Sequence, residues 1–145
     1  MSAKKTYISH SPAETFSLGQ ELGQSLRGGE ILALYGDLGA GKTALVQGIA
    51  AGLGIKATVN SPTFTIMKLY PVKKGQIKRL CHIDAYRLSQ GKELLEIGAS
   101  DYLGAADTVS AVEWAERVGS ILTNNLFNIR IKNIGEDSRE ITLNF

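Results

Sequence analysis

The stretch Gly36-Asp37-Leu38-Gly39-Ala40-Gly41-Lys42-Thr43 satisfies the pattern G-x-x-x-x-G-K-[ST] and limits what this chain can become more than any other segment. The spacing is itself chemistry. Glycines let successive backbone N–H groups turn inward without a Cβ clash and surround a phosphate chain. A lysine at the seventh position places an ammonium against the outer phosphates, and the next hydroxyl can ligate Mg²⁺. The flanks agree. Ile31-Leu32-Ala33-Leu34-Tyr35 is a short apolar run of the buried-strand kind, and Ala44 to Leu53 carries apolar residues at helical spacing. Strand, glycine-rich loop and helix N-terminus together make an anion site, because the helix dipole adds to the loop amides.

A chain of 145 residues suits one domain spanning 1–145, and 43% hydrophobic with 21% charged residues describes an ordinary globule. A net charge of +2 is too small to argue for nucleic-acid binding on charge alone. Lys73-Lys74 and Lys78-Arg79 flank Gly75 and read as a solvated hairpin tip. The single cysteine, Cys81, lies in an apolar run and reads as a buried thiol. The N-terminus lacks a signal-peptide apolar core, and no run reaches the ~18 apolar residues of a membrane span. These features lead us to expect a cytoplasmic protein without a membrane partner.

Along the chain, Ser11-Pro12-Ala13-Glu14 is a capping box with proline at the first helical position. Phe16, Leu18, Leu22 and Leu26 give that helix an apolar stripe, and Gly28-Gly29 should end it. A strand over 30–35 and a helix over 42–53 bracket the loop. Strands are expected over 63–71 and 77–84 as an antiparallel pair, with the turn at 72–76. A helix is expected over 92–103, a buried strand over 108–113 and a short helix over 114–122. Stretches 127–134 and 140–145 should close the chain as a hairpin through Gly135-Glu136-Asp137-Ser138. The fold class is therefore α/β: a P-loop NTPase-like sheet, parallel around the phosphate loop, with antiparallel hairpins and flanking helices.

Binding phosphate is not yet hydrolysis, which needs a carboxylate near Mg²⁺ and a group to orient the attacking oxygen. Asp84 and Glu113 each end an apolar strand, where ligands of open α/β sheets sit. Asp84 could instead pair with Arg87. Trp114, the sole tryptophan, suits either a site or a core. Ser61-Pro62-Thr63-Phe64-Thr65 reads as a turn entering a strand or as a switch segment beside the γ-phosphate. His82 reads as a half-buried strand residue rather than a catalytic one.

Taken together in this order, the loop, Ser61-Pro62-Thr63-Phe64-Thr65, His82-Ile83-Asp84-Ala85-Tyr86-Arg87-Leu88 and Val112-Glu113-Trp114 resemble the bacterial TsaE (YjeE) family over about residues 11–122. That resemblance implies an ATPase, with ATP and Mg²⁺ as cofactors, acting beside TsaD-like and TsaB-like proteins in threonylcarbamoyladenosine modification of tRNAs that read codons beginning with A. The tRNA would be met indirectly, through the complex. It implies nucleotide binding by Gly36, Asp37, Leu38, Gly39, Ala40, Gly41, Lys42, Thr43 and Ala44. Lys42, Asp84 and Glu113 would be the catalytic group, with Thr43 and Glu113 as Mg²⁺ ligands and Asp84 orienting water. Thr63 would sit in the switch segment, Trp114 at the nucleotide, and Ser11 and Thr15 beside the base. The chain departs from the family pattern at Ala44, where a second hydroxyl is frequent, at Ala85, where leucine is, and at Ala115, where proline is.

A small-molecule kinase is the alternative, but the scattered arginines suggest no lid to exclude water. A GTPase lacks its guanine-reading [NT]-K-x-D motif here, and Asp101-Tyr102-Leu103-Gly104 matches D-x-x-G by chance. No obvious internal arginine finger presents itself, Arg87 being the nearest candidate, so the isolated chain is expected to hydrolyse ATP weakly.

Overall fold

The computed structural model describes residues 4–36, 41–60, 66–122 and 125–144. Asp37, Leu38, Gly39, Ala40 and the whole Ser61–Thr65 segment, Thr63 included, lie outside them.

Hydrophobic runs become strands β2 (Ile31–Tyr35), β4 (Ile77–Asp84) and β5 (Thr108–Glu113), with β1 (Lys4–Ser9), β3 (Met67–Lys74), β6 (Leu126–Asn133) and β7 (Arg139–Asn144) completing a seven-stranded sheet of order β1-β7-β6-β2-β5-β4-β3. The pairs β2–β5, β2–β6 and β4–β5 are parallel; β1–β7, β6–β7 and β3–β4 are antiparallel. The centre is parallel and both margins antiparallel, as the sequence suggested. Side chains alternate across the sheet. Leu32 and Leu34 accordingly join a core under the helices α1 (Pro12–Ser25) and α2 (Lys42–Gly52). Ile31 and Ala33 join a second core on the opposite face, with Leu94 of α3 (Lys92–Glu96) and Val118.

The contact between α1 and α2 is made by glycine. A Cβ on Gly19 would lie 2.4 Å from the Leu45 carbonyl oxygen, and one on Gly23 would lie 2.3 Å from that of Ile49. From the other side, a Cβ on Gly48 would meet the Phe16 oxygen at 2.1 Å and one on Gly52 the Gln20 oxygen at 2.2 Å. The two backbones touch where a methyl group cannot go.

Several boundaries differ from expectation. β1 was not expected; its outer residues are exposed and its partner β7 is at the far end of the chain. β3 runs on to Lys74, through Pro71 and past a register irregularity, so the turn tightens to Gly75-Gln76. The expected helix over 92–103 stops at Glu96, because Gly98 turns left-handed (φ +87°) and a short 3₁₀ turn, Ala99–Asp101, follows. Residues 114–122 form two 3₁₀ turns, Ala115–Arg117 and Gly119–Ile121. Helix α1 ends at Ser25, before the glycine pair. There the buried Glu30 carboxylate accepts from the Arg27 and Gly28 amides at 2.8 and 2.7 Å, and Lys74 Nζ donates to the Leu26 oxygen. Among the described residues no helix is long and apolar enough to cross a membrane.

Candidate functional site

Parity places the site. In β4 the buried Leu80 faces the helices, so His82 and Asp84 do as well; in β5 Val109 and Ala111 face them, and so does Glu113. Asp84 and Glu113 are register partners across parallel strands, which sets two carboxylates side by side at the sheet's carboxyl edge. Helix α2 begins directly above, from Gly41, whose left-handed backbone (φ +100°) favours a residue without Cβ.

These groups line a single cavity of about 740 Å³, within the size range of small-ligand sites. Gly41, Lys42, Thr43 and Ala44 supply the wall at the helix start, Asp84 and Glu113 the floor, and Trp114 and Thr15 the sides. Lys42 is 6% exposed; its ammonium donates to the Gly36 carbonyl at 2.5 Å and sits 4.0 Å above the Trp114 ring. Trp114 in turn packs on Tyr86 (centroids 5.0 Å apart) and under Arg117, and holds a left-handed backbone with φ +57°. Such a conformation is costly for a non-glycine residue and persists where surroundings impose it. Asp84 Oδ1 accepts the Tyr86 amide at 3.0 Å, a local turn that fixes the carboxylate at the strand end.

Glu113 is 4% exposed and forms a 2.7 Å hydrogen bond between its Oε2 and His82 Nε2. His82 is itself buried rather than half-buried. At the N-terminus of α1, the Ser11 hydroxyl accepts from the Glu14 amide, the capping role its motif foretold; Thr15 is buried, bonded to Ser9 Oγ at 2.7 Å, and reaches the cavity wall.

Sequence reasoning passed over Asp137 and Arg139. The β6–β7 hairpin carries both to the cavity, and Arg139 lies against Gly41 at the start of α2. Arg139 Nη1 also donates to the Ser138 carbonyl at 2.9 Å, stiffening the hairpin. Nothing local marks these residues. They reach the site only because β6 pairs with β2, a long-range contact. Gln47 was likewise missed; it lines the cavity and donates to the Val59 oxygen, tying α2 to the chain ahead of residues 61–65.

The donor set fits a magnesium-bound nucleotide. It offers hard oxygen from Thr43, Asp84 and Glu113, an ammonium, and a helix N-terminus for anions. Among the described residues no cluster of three or more His, Cys, Asp or Glu could hold a metal alone. A Mg²⁺ held through one or two protein oxygens plus phosphates and water needs none.

A β-strand, a phosphate-loop motif and a helix, set in a mixed sheet that is parallel at its centre and carries carboxylates at its edge, define a P-loop-like α/β protein. Within that class the chain belongs to the TsaE family: the model for "Threonylcarbamoyl adenosine biosynthesis protein TsaE" matches residues 9–141. It is 37% identical over 136 residues to the tRNA threonylcarbamoyladenosine biosynthesis protein TsaE of Treponema pallidum, covering 94% of this chain and 97% of that protein. It is 40% identical over 131 residues to the protein of the same name from Bacillus subtilis, covering 90% and 79%. Among solved structures, the crystal structure of Bacillus subtilis YdiB superposes with a TM-score of 0.80 at 35% identity, covering 99% of this chain and 86% of that one.

Proposed function

We propose that this chain is the Mg²⁺-dependent ATP-hydrolysing component of tRNA threonylcarbamoyladenosine formation, working with TsaD-like and TsaB-like proteins in the cytoplasm. The observation that carries the ATPase reading is the meeting of Lys42, Thr43, Asp84 and Glu113 on one cavity at the N-terminus of α2. The names of the relatives support the place in tRNA modification.

Each residue has a task in this reading. Amides at the start of α2 and the Lys42 ammonium bind the phosphate tail, once the anion replaces the Gly36 carbonyl as the lysine's partner. Thr43 and Glu113 hold the metal, which supplies positive charge against the outer phosphates when bound. Asp84, clamped by the Tyr86 amide, orients the attacking water. Trp114 and Arg139 wall the cavity and exclude bulk water, while Thr15 and the α1 N-terminus flank the base. Arg87 and Arg139 both reach the cavity, and a partner protein that presses either toward the phosphates would raise a slow basal rate.

Nucleotide affinity and phosphate release, measured side by side on the Asp84→Ala, Glu113→Ala and Lys42→Ala variants, test this. Either carboxylate variant is expected to lose at least about 100-fold in turnover while keeping measurable binding, and Lys42→Ala to lose binding as well. Retained hydrolysis in both carboxylate variants would remove the metal-site assignment. An ATPase rate unmoved by TsaD-like and TsaB-like proteins would remove the partnership.

A further inference from the structure

We infer that His82 is a positioning residue for Glu113, holding that carboxylate from behind so that it meets a divalent cation in one orientation; this rests on the nucleotide-site reading above. His82 and Glu113 side chains are 2% and 5% exposed, and Nε2 lies 2.7 Å from Oε2. In the strand register the partner of His82 is Ala111, one pleat behind Glu113. A methyl group there leaves room for the imidazole to reach forward along β5 to the carboxylate. The bond asks for a proton on Nε2, donated to Oε2.

The other ring nitrogen shows what the histidine is for. His82 Nδ1 is buried and makes no hydrogen bond among the described residues. A buried polar atom without a partner costs stability, so Nδ1 itself gives the fold no reason for a histidine here; the reason lies in Nε2, which pairs the buried Glu113 carboxylate. Among the described residues the bond to Glu113 is thus the one side-chain contact that calls for an imidazole at this position. Hydrogen-bonded partners of metal-holding carboxylates restrict the carboxylate to the productive orientation, and their loss weakens metal binding. The same geometry gives the pattern His-x-Asp on β4 a division of labour: Asp84 faces the cavity at the strand end, while His82, two residues back on the same face, steadies the carboxylate of the neighbouring strand.

The unpartnered Nδ1 makes the test specific. A glutamine amide nitrogen falls near the position of Nε2, whereas an asparagine amide nitrogen falls near that of Nδ1. The full-length chain and its His82→Gln, His82→Asn and His82→Leu variants are titrated with Mg²⁺ at fixed ADP, reading thermal stabilisation, and ADP affinity is measured separately in EDTA. His82→Asn and His82→Leu are expected to need about 10- to 100-fold more Mg²⁺, with His82→Gln staying within about threefold of the parent. Metal-free ADP affinity should not change in any of them. If Gln, Asn and Leu fall together, or if metal-free affinity falls equally, the positioning role is overturned. Should His82→Leu fail to fold, the contrast between Gln and Asn decides. Glu113→Gln separates the two levels of the argument. If it leaves the Mg²⁺ requirement unchanged, the metal-site reading itself fails. If it raises the requirement while His82→Leu does not, only the role of His82 fails.

Discussion

Lys42 and Trp114 show how single side chains build the site. An ammonium buried to 6% exposure needs compensation, and here the Gly36 carbonyl and the indole face provide it. Asp84 and Glu113 were legible in the sequence because a carboxylate ending an apolar strand is a local signal. His82 was under-read because its partner is 31 positions away, and no local pattern tells a buried histidine from a half-buried one. Cys81 was read as a buried thiol, and it is fully buried. Burial pushes its pKa from the ordinary 9.0 up to about 12. Two outcomes follow. The native thiol should resist a disulfide reagent at pH 8 and react only on unfolding, which a labelling time course with and without denaturant will show. Because the folded pKa is raised, the stabilisation from keeping this thiol neutral is complete below about pH 9. It declines as pH climbs toward about 12, where the unfolded thiol is already ionised.

At the scale of elements, helices α1 and α2 were recognisable from capping and apolar spacing, but their mode of contact was not. A stripe of Phe16, Leu18, Leu22 and Leu26 suggested side-chain packing, whereas the buried face of α1 is Thr15, Gly19, Leu22 and Gly23. Glycine carries no hydrophobic signal, so a contact made by its absence of side chain stays invisible to periodicity. The structure makes it measurable. Gly48→Ala should destabilise the protein by about 1–3 kcal/mol or more, since the Phe16 carbonyl oxygen at 2.1 Å is backbone and cannot swing aside. Gly119→Ala, with nothing within 4 Å of the added Cβ, should stay within about 0.5 kcal/mol. Urea midpoints of the two variants check this pair. Strand β1 was missed for the opposite reason: its residues are mostly exposed and polar, and only pairing with β7 makes them a strand. The helix expected over 92–103 failed at one residue, Gly98, whose positive φ no apolar count registers.

The whole molecule explains why the cavity has the walls it does. Placing β2 between β5 and β6 brings two distant regions to the start of α2: the strand-end carboxylates on one side and the β6–β7 hairpin, with Asp137 and Arg139, on the other. The first could be read from the sequence, since α/β sheets collect ligands at their carboxyl edge. The second could not, because strand order is not written in local pattern. In the proposed function this shared cavity grips the phosphate tail of a magnesium-bound nucleoside triphosphate through the α2 N-terminus and Lys42. Calorimetric titration of ATP with Mg²⁺ into the parent chain and into Lys42→Ala tests it most directly. We expect one-to-one binding by the parent, weakened at least about tenfold in the variant, a difference of about 1.4 kcal/mol. Superimposable isotherms for the two proteins, or no heat from the parent at millimolar ATP, would contradict it.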